Sequence, residues 1–256
     1  MPAGSSGRVH AVTGGGSGIG AAAVQLLAGQ GHQVVVLDRS EPAQLVEGAE
    51  FMAVDVADEA AVVRAFAGIG KRHGRLHGLV NSAGIESKSL LKNMTAADFR
   101  RVLDVNLTGT MLCTREAAAL MRAAGNGGSV VNVASIAGKR MSYSGDAAYT
   151  ASKSAVLGYT RHAAFELAAD RIRVNAVCPG PTLTPMITRN LSAERIEAVA
   201  GTVPLGRWVA AEDVAQAIAF FLGDSALMCT GTSLDVDGGV LVSNGGRTED
   251  YFRHRQ

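Results

Sequence analysis

Glycines crowd one turn of this chain: Gly14-Gly15-Gly16-Ser17-Gly18-Ile19-Gly20 follows the apolar run Val9–Thr13 and leads into an Ala-rich stretch. Glycine in such a turn lets the backbone come close to a diphosphate. The N–H groups and dipole of a helix starting there face the negative charge. The spacing Gly16-Ser-Gly18-Ile-Gly20-Ala21 is the Ala-ended form of a dinucleotide fingerprint, which means little without a strand before it and a helix after it. Both flanks are predicted here. The run Val34-Val35-Val36-Leu37 then ends in Asp38, about twenty residues past the glycines, where an acid accepts hydrogen bonds from adenosine ribose hydroxyls. Asp38 repels a 2′-phosphate and favours NAD over NADP. Arg39 beside it pulls the other way, because a guanidinium cradles such a phosphate. The chemistry implied is hydride transfer by a bound nicotinamide.

Elements that must position these residues alternate along almost the whole chain. Strand-like runs fall at Val9–Thr13, Gln33–Leu37, Glu50–Val54, Leu79–Asn81, Ser129–Ala134, Arg173–Cys178 and Ser233–Val236. Helical patterns fall at Gly18–Gly29, Glu59–His73, Ala96–Ala123, Ala147–Ala169 and Glu212–Leu222. Several strands are apolar without alternation, as expected where helices cover both faces of a parallel sheet. We therefore expect an α/β fold, a single-domain Rossmann-type doubly wound parallel sheet of about seven strands spanning 1–256. The stretch of about 180–208 reads as a lid: with Pro179 it holds four of the six prolines, and long connections in compact domains tend to bind ligands. The polar tail, 246–256, is expected to fray or to fold over a pocket, on the strength of Tyr251-Phe252.

Composition removes other classes of function. A net charge of +1 with no basic stripe argues against nucleic acid and acidic membranes. Cys113, Cys178 and Cys229 are scattered and odd in number, which speaks against a disulfide framework and for a reducing compartment. The histidines form no HExxH motif, and no metal is expected. Met1–Gly7 lacks the apolar core of a signal peptide, and no apolar run approaches a membrane span. A cytoplasmic location is expected.

Taken in order, Thr13-Gly14-xxx-Gly18-x-Gly20, Asn81-Ser82-Ala83-Gly84, Asn106, Ser135, Tyr149-xxx-Lys153 and Pro179-Gly180 are similar to the motifs of the short-chain dehydrogenase/reductase family. The resemblance runs from Val9 to Gly239. It implies that Tyr149 is the general acid/base that exchanges a proton with the substrate oxygen. Lys153, four residues on and on the same helix face, would bring the phenol down from its ordinary pKa near 10 and hold the nicotinamide ribose. Ser135 would polarise the substrate oxygen, and Asn106 would anchor a water reaching Lys153. For the cofactor, the family implies contacts from Gly14, Ser17, Gly18, Ile19, Gly20, Asp38, Arg39, Asp55, Val56, Asn81, Ala83, Gly84, Tyr149, Lys153, Pro179, Gly180, Thr182 and Thr184. Ser82 stands where the family has a second asparagine, which puts a sheet-stabilising hydrogen bond at issue. Ser135 to Tyr149 spans 14 positions, one more than usual, so the loop Ile136–Asp146 should differ. The family also implies a homotetramer or homodimer, with helices 96–123 and 147–169 against their symmetry mates.

The substrate pocket should then be walled by Ile85, Ile136, Met141, Tyr143, Met186, Ile187, Leu191 and Trp208, while Glu86, Lys139 and Arg140 more often face water. Such a lining suits a hydroxysteroid, a cyclic alcohol or diol, or a 3-hydroxyacyl group. Two other readings compete: an NADP-dependent carbonyl or acyl-carrier reductase, and a dinucleotide-sensing regulator without catalysis.

Overall fold

The computed structural model describes residues 7–184, 187, 192–243, 248–253 and 255. Seven parallel strands form one sheet in the order β3-β2-β1-β4-β5-β6-β7. They are β1 Val9–Thr13, β2 Gln33–Asp38, β3 Ala49–Ala53, β4 Gly78–Asn81, β5 Gly128–Val133, β6 Ile172–Pro179 and β7 Ser233–Val236. Helices α1 Gly18–Gly29, α2 Glu59–His73, α3 Ala96–Leu103, α4 Gly109–Ala124 and α5 Ala147–Leu167 are followed by Ala193–Ala200, Ala211–Leu222 and the short Thr248–Arg253. No described helix is long and apolar enough to cross a membrane.

Side chains of a strand point alternately to its two faces, and the core divides accordingly. Val35 and Leu37 of β2 join Phe66 and Ile69 of α2 and Met121 of α4 in one layer. Val34 and Val36 join Leu27 of α1 with Ile218 and Phe221 of Ala211–Leu222 in the other. Phe66 is 1% exposed, a burial that contributes about 1.5–3 kcal/mol. Both faces are covered, which is why the strands lack a polar side.

Chain order reverses between β1 and β4, since β2 and β3 lie on one side and β5 to β7 on the other. A crevice opens outside the strand ends at such a switch point. The turns after β1 and β4 flank it. Gly14 has a φ of 64°, and a Cβ there would lie 2.7 Å from the Ala83 Cα. The two turns approach each other so closely that only glycine fits.

Two readings of the helices need correction. The pattern at 96–123 is not one helix: the turn Asp104–Thr108 is π-helical, with the Gly109 N–H bonded to the Asp104 carbonyl. One extra residue in the turn leaves the apolar pattern nearly unchanged, so periodicity misses it. The segment 180–208 also contains a helix, Ala193–Ala200, whose N-cap Ser192 accepts from the Arg195 N–H. Trp208 closes over it, its indole N–H donating to the Ile196 carbonyl at 2.7 Å.

Candidate active site

The start of α1 is bare. Ser17 is its N-cap residue yet makes no side-chain capping bond, so the first N–H groups of the helix remain available for an anion. Asp38, at the end of β2, accepts from the Gly16 N–H at 3.0 Å and from the Ser40 N–H at 3.4 Å. Its carboxylate thus lies against the glycine turn. Behind the turn, Thr13 Oγ1 accepts from the N–H groups of Ser82 and Ala83, both at 3.1 Å, which locks the β1 and β4 turns together.

Ser135 follows β5 in an extended conformation and caps the short turn Ile136–Gly138, accepting from the Ala137 N–H at 3.0 Å. Tyr149 enters from the first turn of α5, where Asp146 caps the helix by accepting from the Tyr149 N–H at 3.0 Å. Ser135 stands close enough to the Tyr149 phenol to favour its ionised form. Lys153, one turn on, is buried and donates to the Val133 carbonyl at 2.8 Å, its ammonium 5.7 Å from the centre of the Tyr149 ring.

Burial dominates the electrostatics here. It pushes the phenol above its ordinary value; Ser135 pulls it back, and the Glu86 carboxylate pushes it up further. Burial brings Lys153 down to about 8, with Cys178 opposing. The lowering of the phenol expected from Lys153 is not seen: Lys153 is not among the groups that shift it, and desolvation, the largest influence, raises it because a buried anion loses its hydration.

One cavity of about 650 Å³ is lined by both groups of residues. Gly14, Ser17, Gly18, Ile19, Asp38, Arg39, Asp55, Val56, Ala83 and Gly84 line it, as do Ser135, Tyr149, Lys153, Pro179, Gly180, Thr182 and Thr184. Three of the expected site residues do not. Gly20 is packed under the turn, where a Cβ would lie 2.2 Å from the Gly14 carbonyl oxygen. Asn81 points into the layer under α4 and α5, donating to Asn132 Oδ1 at 2.9 Å and Thr114 Oγ1 at 3.0 Å. The alternation of β4 puts its side chain on that face, and Ser82 lines the cavity instead. Asn106, in the π-helical turn, clamps Ile85: its amide accepts from the Ile85 N–H at 2.8 Å and donates to the Ile85 carbonyl at 2.9 Å. It also donates to Ser152 Oγ at 2.9 Å.

On the substrate side, Ile85, Ile136, Met141, Tyr143, Ile187 and Trp208 line the cavity, whereas Met186 and Leu191 lie outside the described residues. Lys139 turns away to pair with Asp235. Glu86 does not face open water: it lines the cavity and its side chain is only 8% exposed, whereas Arg140, which also lines the cavity, is half-buried beside the exposed Tyr143 ring. No local signal distinguishes Glu86 from an ordinary loop carboxylate; it follows Ile85, which Asn106 clamps. The described tail residues line no part of the cavity, and Tyr251 and Phe252 are more than half exposed.

A nicotinamide dinucleotide fits these residues: bare N–H groups at the glycine turn suit a diphosphate, and Asp38 beside them suits a ribose diol. Comparison with known proteins agrees. A family model described as enoyl-(acyl carrier protein) reductase matches residues 14–241. The chain is 41% identical to cis-4-hydroxycyclohexanecarboxylate dehydrogenase of Sinomonas cyclohexanicum, over 92% of this chain and 97% of that protein. Among solved structures, it is similar to the aldohexose dehydrogenase of Thermoplasma acidophilum, with a TM-score of 0.87 and 31% identity over 93% of this chain and 95% of that one. It is similar also to ElxO with NADP bound, with a TM-score of 0.85 and 30% identity over 92% and 99%. Motif order, sheet topology and likeness over nearly the full length converge: the chain belongs to the short-chain dehydrogenase/reductase family.

Proposed function

We propose that this oxidoreductase is an NAD(H)-dependent dehydrogenase of secondary alcohols carried on a small ring. The observation that carries the reading is that the glycine turn with Asp38 and the set Ser135, Tyr149, Lys153 line one cavity. The bound dinucleotide would accept or return the hydride. The start of α1 would hold its diphosphate, Asp38 the adenosine ribose, Asp55 and Val56 the adenine. Pro179 to Thr184 would run beside the nicotinamide, and 180–208 would cover the substrate. Tyr149 takes the proton from the substrate hydroxyl, or donates it to the ketone, while Ser135 holds the same oxygen. Lys153 supplies the positive charge that favours a phenolate. Asn106 acts as a positioning residue, through Ile85 and Ser152.

NAD is supported by the Asp38 carboxylate at the turn, and a ring alcohol by the apolar wall and by the likeness to a hydroxycyclohexanecarboxylate dehydrogenase. A second reading, an NADP-dependent reductase of carbonyl or acyl-carrier substrates, is favoured by Arg39, which also lines the cavity. Calorimetric titration with NADH and NADPH separates the two: tighter NADH binding is expected, and tighter NADPH binding transfers the recognition to Arg39. Tyr149→Phe should lower kcat on a ring alcohol by about 10²–10⁴ with little change in dinucleotide affinity; near-normal turnover overturns the proton-transfer role. A homotetramer, or a homodimer, is part of the proposal. It is supported by Phe165, which stands 83% exposed on α5, and light scattering in solution tests it.

A further inference from the structure

Glu86 is the one cavity-lining acid on the substrate side that the proposed chemistry does not use. Its side chain is 8% exposed, and its nearest cation, Lys88, holds it loosely, Nζ to Oε1 3.7 Å, from a side chain that is itself 58% exposed. Among the described residues no backbone N–H or hydroxyl donates to it. A carboxylate buried this far loses hydration that one loose ion pair restores only in part. Asp146, the other acid nearby, differs: its two oxygens accept from the N–H groups of Tyr149 and Ser89. Glu86 thus retains acceptor capacity directed at the cavity.

We infer that Glu86 and Lys88 form a recognition site for a second, uncharged hydroxyl on the substrate ring, so that the preferred substrates are ring polyols rather than simple ring alcohols. The inference rests on the dehydrogenase reading above. The pair offers an acceptor and a donor side by side, and a neutral hydroxyl satisfies both at once. An ammonium group would meet Lys88, and a carboxylate would meet Glu86. Ile85, Ile136 and Ile187 supply apolar wall for the ring carbons, and Arg140, Ser142 and Ser144, which also line the cavity, are the other polar groups on this side. Discrimination by a hydrogen-bonding site of this kind is steep, because an analogue lacking the hydroxyl leaves the buried carboxylate unsatisfied.

The test is kcat/KM for cyclohexanol, the cyclohexane-1,2-diols, D-glucose and cis-4-hydroxycyclohexanecarboxylate, each with the dinucleotide that binds more tightly. The wild-type protein should prefer a diol or the sugar to cyclohexanol by roughly tenfold or more, and which of the two leads separates a carbocyclic from a sugar substrate. Glu86→Leu should bring that ratio to about one, and Glu86→Gln, which keeps shape and an acceptor, should give an intermediate ratio. Dinucleotide titration checks that both variants fold; should the leucine variant not fold, the glutamine variant carries the test. Equal efficiency on cyclohexanol and the polyols, preference for the carboxylate, or a ratio that survives both substitutions overturns the inference and leaves the dehydrogenase reading standing. Turnover of none of these alcohols, with or without dinucleotide binding, sinks both.

Discussion

The two ends of the sheet treat buried polarity in opposite ways. At the carboxyl ends of β4 and β5, Asn81 donates to Asn132, and Asn132 donates to Thr160 at 2.9 Å. Of that ladder's side-chain atoms, only the Asn81 carbonyl oxygen lacks a partner. At the amino ends, His10 and His32 stack edge to face at 4.9 Å, and both ring nitrogens of His10 are buried without a partner. The first end is held by a chain of paired side-chain amides and hydroxyls; at the second the His10 imidazole serves as a flat packing piece. The site sits at the paired end, where the turns after β1, β4 and β5 must keep fixed positions. At the other end nothing needs to be held to that tolerance.

That contrast can be broken most strongly by substitution. Asn132→Ala should cost about 2–4 kcal/mol in urea unfolding, since it removes the acceptor of one Asn81 amide N–H and the donor to Thr160, and leaves a cavity in the core. His10→Leu should be close to neutral at pH 7.5 under the same assay. Equal losses at both ends would dissolve the distinction.

Acid sharpens it next. Burial, helped by His32, His77 and Arg8, pulls His10 down to about 3. The folded state therefore takes up this proton less readily than the unfolded chain. The contribution of His10 is fully present above pH 6.5 and drains away as pH falls from there toward 3. The expected slope is about 1.4 kcal/mol per pH unit for one such group. His32 and His77, also pushed down mainly by burial, add in the same direction. His10→Leu should flatten the slope, and an unchanged acid limb would mean that His10 is not what the acid attacks.

The smallest effect belongs to the end that carries the cavity. Glu86 raises the Tyr149 phenol, so Glu86→Gln should move the alkaline rise of kcat/KM to lower pH. The shift is downward because one negative charge that disfavours the phenolate is removed. Lys153, Lys88, Asp146 and Arg140 remain in both proteins and set the rest of the profile. A shift to higher pH would contradict the electrostatic coupling.

How much of this was legible beforehand depended on how local the cause was. Strand positions were readable to within a residue or so, because an apolar run flanked by turn residues has few other fates. The glycine turn with Asp38 was readable because the backbone itself does the work there. The helix Ala193–Ala200 was within reach: Ser192 before Ala-Glu-Arg-Ile-Glu-Ala is an N-cap followed by strong helix formers. The π-helical turn at Asn106 was not, since it differs from an α-turn by one hydrogen-bond step. Nor was the face chosen by Asn81, which depends on where β4 begins. Glu86 was the least legible of all, because its burial is a property of the fold around it and not of the loop sequence.

Trp208 is the only tryptophan in the chain. It lines the cavity, is 8% exposed, and is tied through its indole N–H to the helix Ala193–Ala200. The protein therefore carries a single indole, placed beside the cavity and fastened to this helix. Excited selectively over the four tyrosines, its emission wavelength and quenching report the surroundings of the cavity wall, with no other indole contributing. Stopped-flow emission can then time changes at that wall separately from the absorbance of reduced nicotinamide.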